Sequence, residues 1–225
     1  LYDKEGNHTG LIPNPDPDSD LQRVEANIPN SYYFEFGETK YAGSDTLTPT
    51  DVVLIGESTG TFTLEIEQLN GDNLIATKTF TDVPVIKNVK VTTEVTDVSE
   101  PLVLAMNFDN DNIIDAIIQP GAGVTTEELL QIMRGVVKTF DIPAKKKMHL
   151  EKIFDKIEKN LAKEDGCADK KKTAKCKHKI KQKLSNTVAR LTALIEKFFK
   201  KGLISQEEKT EIMQVIISIT NNLST

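Results

Sequence analysis

The chain has 225 residues, with 34 acidic side chains, 28 basic ones and no tryptophan. That length allows one large domain or two ordinary ones, and with no run of about 18 apolar residues it offers no membrane-spanning helix. The net charge of −6 conceals two halves: residues 1–144 hold 24 Asp and Glu against 8 Lys and Arg, whereas residues 145–225 hold 10 against 20. All nine prolines lie at or before Pro143. These shifts predict two domains, with the break between Asn107 and Thr126.

In chain order, the first 119 residues carry patterns of period two. Tyr32, Phe34 and Phe36 form the first. Phe62, Leu64 and Ile66 alternate with Thr61, Thr63, Glu65 and Glu67, which puts one face in a core and the other in water. Asn70-Gly71-Asp72 supplies a turn. The alternation returns at Val89, Val91, Thr93 and Val95, and at Leu102, Leu104, Met106 and Phe108. Turn clusters such as Lys4-Glu5-Gly6-Asn7 and Pro13-Asn14-Pro15-Asp16-Pro17 separate these short runs. The pattern predicts an antiparallel, Ig-like β-sandwich of about seven or eight strands over residues 1–120.

After Gly121 and Gly123 the period becomes helical. Thr125 and Glu128 have the spacing of a capping box, followed by Leu129, Ile132, Met133, Val136, Val137 and Phe140. Pro143 sits where a second helix starts, with Leu150, Ile153, Phe154, Ile157 and Leu161 on one stripe. A third helix runs from Lys175 to Lys201 and stops at Gly202. Ser205 and Glu208 form a second capping box, opening a fourth helix with Ile212, Val215, Ile216 and Ile219. The fold class is therefore α+β as two domains, a β-sandwich followed by a four-helix antiparallel bundle over residues 121–225.

Cys167 and Cys176, the only cysteines, lie nine apart in a Lys-rich stretch between helices. They read as a disulfide closing a helical hairpin, which suits an oxidising compartment. A metal pair with His178 lacks the usual ligand spacing, and spacing alone leaves unpaired thiols open. With neither a leader sequence nor a methionine at Leu1, the chain reads as a fragment or processed product whose targeting signal and further domains lie upstream.

Two resemblances are carried by short segments. Residues 1–10 (Leu-Tyr-Asp-Lys-Glu-Gly-Asn-His-Thr-Gly), 28–33 (Ile-Pro-Asn-Ser-Tyr-Tyr) and 60–66 (Gly-Thr-Phe-Thr-Leu-Glu-Ile) resemble the β-sandwich module near the C-terminus of secreted bacterial and archaeal hydrolases and surface proteins. Residues 137–142 (Val-Lys-Thr-Phe-Asp-Ile), 194–202 (Leu-Ile-Glu-Lys-Phe-Phe-Lys-Lys-Gly) and 204–207 (Ile-Ser-Gln-Glu) are similar to the FIMAH-type helical domains appended to such proteins. Both resemblances imply accessory modules, and neither brings a catalytic residue.

Among motifs that carry chemistry, Gly56-Glu57-Ser58-Thr59-Gly60 matches the nucleophile elbow of α/β-hydrolases. That elbow needs a helix directly after the serine, whereas strand-like sequence flanks this one, so the match reads as a hairpin turn. His8, His149 and His178 read as solvated. The 19 Lys and Arg of residues 145–201 read as solvated helix faces, or as the footprint of an anionic cell-surface or cell-wall polymer. One arginine, and no interleaved aromatics beyond Phe154, Phe198 and Phe199 on the apolar stripes, argue against nucleic acid. Without tryptophan, only Tyr2, Tyr32, Tyr33 and Tyr41 could stack on sugars.

The most specific site is Asn107, Asp109, Asp111 and Asp115 with the backbone carbonyl of Ile113. Oxygen ligands at alternate positions can converge on a calcium ion. The string is similar to the Asp-x-Asp-x-Asp-Gly-x-x-Asp loops of extracellular repeat proteins, with Asn107 for the first Asp and Asn112 for the Gly. Ile118 stands where an EF-hand has its Glu. The competing reading is a polar turn, but three nearby carboxylates would repel one another without a cation. The sequence thus predicts a non-catalytic, calcium-stabilised accessory or adhesive module of a secreted or cell-surface protein. The alternative is the C-terminal accessory region of a secreted esterase, lipase or peptidase, positioning an upstream catalytic domain.

Overall fold

The structure, a computed structural model, describes residues 1–12, 22–45, 50–167 and 173–224. It is mixed α+β. The strands are β1 (Thr9–Ile12), β2 (Arg23–Ala26), β3 (Ser31–Phe36), β4 (Thr39–Ser44), β5 (Thr50–Ile55), β6 (Gly60–Asn70), β7 (Asn73–Val85), β8 (Lys90–Val95), β9 (Leu104–Asn107) and β10 (Ala116–Ile118). The helices are α1 (Thr126–Thr139), α2 (Ala144–Asp165), α3 (Thr173–Lys200) and α4 (Gln206–Ser224). Strand gives way to helix between Ile118 and Thr126, inside the interval marked by the charge break. The expected turn at residues 13–17 lies outside the described residues.

The chain forms two compact units. Unit 1 comprises Leu1–Leu54, Glu65–Lys78 and Val91–Leu104, and unit 2 comprises Ile55–Leu64, Thr79–Lys90 and Ala105–Thr225. In unit 1, β1 pairs antiparallel with β2, Thr9 facing Ala26, and β3 pairs antiparallel with β4, Phe34 facing Tyr41. Strand β5 lies beside β8. Ile28, Val91, Val98, Leu102 and Leu104 are buried. Thr9, also buried, shares a 2.6 Å hydrogen bond with the Ser31 hydroxyl, so its oxygen is satisfied. The alternation on β6 holds, with Phe62, Leu64 and Ile66 more covered than their neighbours. Strands β6 and β7 form a hairpin across a two-residue turn at Gly71-Asp72.

In unit 2, α1 packs on α2, α2 on α3, α3 on α4, and α4 again on α1. The stripes read from the sequence supply much of the buried set, including Leu129, Met133, Leu150, Phe154 and Ile212, and α3 adds Leu184. Both capping boxes are formed. Glu128 N–H donates to the Thr125 hydroxyl while Thr125 N–H donates to the Glu128 carboxylate, and Ser205 and Glu208 repeat the exchange. Glu128 also accepts from Gln119 N–H at 2.6 Å, and Gln131 accepts from Ile117 N–H at 3.0 Å. Side chains of α1 therefore satisfy backbone donors at and just beyond β10, beside which β9 lies. Arg134 on α1 pairs with Glu151, Asp155 and Glu158, which share one stripe of α2.

Candidate functional site

The loop between β9 and β10 is shaped by its own side chains. Asn107 accepts from Asn110 N–H at 2.7 Å and Asp111 accepts from Ile113 N–H at 2.8 Å, both local turns of the kind that Asn and Asp favour. Asn110 and Asn112 adopt left-handed backbone, with φ of 58° and 64°, a conformation that Asn tolerates better than most residues. Asp115, whose side chain is 3% exposed, accepts from Phe108 N–H at 2.9 Å and from the Lys138 ammonium, which reaches it from the last turn of α1. Lys138 also lies 4.0 Å from Asp111. Hydrogen bonding to Asp115 holds this ammonium above the usual lysine range, and the charges of Asp109 and Asp111 act in the same direction.

These contacts bear on the calcium expectation. One Asp115 oxygen holds Phe108 and the other holds Lys138, while an oxygen each of Asp109 and Asp111 takes a backbone N–H. Among the described residues, no three His, Cys, Asp or Glu side chains gather as a metal site requires. As folded, then, the carboxylates of Asp109, Asp111 and Asp115 are engaged by backbone N–H groups and by Lys138, and a calcium ion shared with Asn107 and Ile113 would have to displace these contacts. The cation that offsets them is Lys138. The sequence analysis missed it because the lysine stands 23 residues beyond Asp115 and only the packing of α1 returns it to the loop.

A second candidate is the outer face of the β3–β4 hairpin. The period of two in Tyr32, Phe34 and Phe36 suggested a core face, but these rings are 54%, 51% and 80% exposed. The reason is local. Phe34 stacks on its cross-strand partner Tyr41, centroids 4.7 Å apart and nearly parallel, and Tyr32 stacks on Phe34 at 5.9 Å. Tyr32 also lies across Gly43, where an added Cβ would come within 2.5 Å of its hydroxyl oxygen. The rings thus cover one another and the strand backbone, forming a paved aromatic surface open to solvent.

A third candidate is an open cleft of about 440 Å³ in unit 2, lined by Ile86, Lys87, Asn88, Phe108, Asp109, Asn110, Thr139, Glu207, Glu208 and Glu211. Phe108 is 3% exposed and its ring rests on Gly135 of α1, where a Cβ would lie 2.2 Å from a ring carbon. Glu211 is 7% exposed. Burial pushes its carboxyl above the usual carboxylate range, and the charges of Glu207 and Glu208 push the same way. A sequence signal for it exists: Glu211 stands four residues before Val215, on the apolar stripe of α4.

The remaining residues singled out from the sequence are placed as follows. Ser58 lies in a connection that leads into β6 with no helix after it, so the elbow geometry is not formed. The hairpin expected there is not formed either, since β5 lies beside β8 and β6 pairs with β7. Gly56 is explained by backbone approach: it bonds with Val89 and Asn88, and a Cβ there would sit 2.1 Å from the Ile86 carbonyl oxygen. His8 is not solvated. Its side chain is 12% exposed, 3.2 Å from a Glu25 carboxylate oxygen and against the Tyr2 ring. His149 and His178 are exposed, His178 within α3 rather than in a connector. Cys167 and Cys176 are bonded as a disulfide, joining the second residue past α2 to the first turn of α3. Lys152, Lys156, Lys159, Lys177 and Lys183 are exposed on α2 and α3. Among the described residues, no helix is long and apolar enough to cross a membrane.

No protein-family model, curated protein or solved structure gives a significant match to this chain.

Proposed function

We propose that the chain is a non-catalytic binding module of a secreted or cell-surface protein, with its β region an Ig-like sandwich and its helices an antiparallel bundle of FIMAH type. The observation that carries this reading is the exposed, mutually stacked face of Tyr32, Phe34 and Tyr41. Solvent-exposed aromatic patches mark interaction surfaces more often than they mark isolated domains. The disulfide supports an oxidising compartment, and the exposed lysines of α2 and α3 offer a separate surface to an anionic cell-wall or cell-surface polymer.

The test is retention of the protein on cell-wall fractions and on extracellular-matrix coatings. Phe34→Ala with Tyr41→Ala should lower retention strongly while leaving the circular dichroism melt nearly unchanged. Retention equal to wild type on every surface that holds the protein would overturn the reading. So would turnover of an ester or glycoside that Ser58→Ala abolishes. Calcium has to displace Lys138 from Asp115 to act at the β9–β10 loop. Millimolar calcium should therefore raise Tm more in Lys138→Met than in wild type, and equal, null responses would rule out calcium as a stabiliser of this loop.

A further inference from the structure

The Glu211 cleft is independent of the aromatic face. Glu211 as a residue is 7% exposed and its carboxylate oxygens open on the cleft, and among the described residues no hydrogen bond or ion pair involves it. It stands four residues after Glu207, one turn along the same face of α4, so like charge lies beside it. Glu208 is partly committed, since one of its oxygens accepts from Ser205 N–H at 2.6 Å. The dipole of α4 offers little help at Glu211, which lies beyond the first turn. Nor does a neighbouring cation meet it. Lys209 reaches instead to Glu196, at 2.8 Å, and over the Phe199 ring, and Lys87, which lines the cleft, makes no ion pair among the described residues.

A carboxylate on a largely buried side chain, partly desolvated, crowded by like charge and met by no protein cation, favours a proton or a cation entering from the cleft. The acids here do not gather closely enough for a metal ion among the described residues. The cleft is wider than a metal site and has apolar walls in Ile86 and Phe108. That combination suits a charged head on a hydrocarbon stem.

We propose that the cleft binds a primary alkylammonium group, with Glu211 as its anchoring carboxylate and Ile86 and Phe108 against its methylenes. The group can be borne by a free aliphatic polyamine or by a lysine side chain of a protein partner. Both present the same head and stem, and they differ in what surrounds them.

The experiment titrates the full chain with 1,5-diaminopentane in one arm and with lysine blocked at both ends as amides in the other, at low ionic strength near pH 7. Binding is followed by calorimetry and by the ¹³C resonance of the Glu211 carboxyl. Saturable binding that moves this resonance is expected. Glu211→Gln should weaken it by about tenfold or more, and Glu94→Gln in unit 1 should leave it unchanged. Tighter binding of the diamine assigns the site to free polyamines, and tighter binding of the blocked lysine assigns it to a protein partner. If Glu211→Gln does not fold, Glu207→Gln serves, with a smaller loss of affinity expected. The proposal is overturned if neither probe saturates, or if affinity is the same in the Gln variant. It is also overturned if Glu211 is already protonated near pH 7 and stays so as either probe is added.

Discussion

The two carboxylate groups of unit 2 solve the same electrostatic problem differently. Asp109, Asp111 and Asp115 lie on one short loop and carry their cation with them, because α1 delivers Lys138 to Asp115. Glu207, Glu208 and Glu211 lie on two turns of α4, and Glu211 has no such cation. The difference teaches that a cluster of like charges in a sequence says little about ligands until the rest of the fold has been asked for a counter-charge. By that criterion the acidic loop expected to hold a metal already carries one counter-charge in Lys138, and the cleft on α4, not visible in the sequence, has none at Glu211.

The largest effect is expected at a buried residue common to both places. Phe108 donates its N–H to Asp115 and lines the cleft with its ring. Phe108→Ala should cost about 3–5 kcal/mol by loss of a buried aromatic, measured by urea unfolding, and should weaken both sites together. An effect on one site alone would show that they are not linked through this ring.

Lys138→Met comes next. It keeps the stem and removes the ammonium, leaving Asp115 buried and half-satisfied. Loss of one partner of a buried pair is severe, but Lys138 is 44% exposed, so the expected cost is about 1–2 kcal/mol. Because the lysine is held above its ordinary range, its contribution is complete below about pH 10 and is lost as pH rises through the raised value. A wild type and a variant that converge in stability at high pH would agree with this. A constant gap would assign the cost to packing.

Glu211→Gln should act in the opposite direction. A carboxyl whose folded pKa is raised binds more protons folded than unfolded, so wild-type stability falls as pH climbs from about 4.3 through the raised value and is level above it. Glu207, Glu208, Asp109 and Lys87 also line the cleft and modulate the fall. The amide variant should lack that decline and be more stable near pH 7 by up to about 1 kcal/mol, read from paired chemical melts. A variant less stable than wild type at neutral pH would mean that Glu211 has a partner after all.

The smallest effect provides the scale. Lys4 and Glu94 in unit 1 pair at 2.6 Å with both side chains about half exposed, and Lys4→Ala should leave the urea unfolding midpoint within the scatter of replicate wild-type curves. A larger loss would mean that exposed pairs count for more in this protein than the contrast above assumes.

Local rules made much of this fold legible. Thr125, Glu128, Ser205 and Glu208 announced two helix starts because capping depends on residues three apart, and the stripes of Leu129 to Phe140 and Leu150 to Leu161 gave the buried faces. What depended on distant partners was not legible. Period two found the strand at Tyr32, Phe34 and Phe36 but could not say which side faced solvent, because alternation is the same on a covered sheet and on an open one. Strand pairing was equally hidden: nothing near Ser58 shows that β5 lies beside β8 and not beside β6. The calcium reading counted the charges of one segment and had no means of seeing Lys138.

The disulfide has one more consequence, for the covalent continuity of the chain. Lys170, Lys171 and Lys172 all fall between Cys167 and Cys176. A trypsin-like protease that cuts there opens the backbone but does not release a fragment, since the bridge still joins α2 to α3. A singly nicked molecule would run as one species on a non-reducing gel and as two after reduction. The bond thereby turns a lysine-rich segment, ordinarily a weak point in a protease-rich environment, into a cut that the protein can survive in one piece.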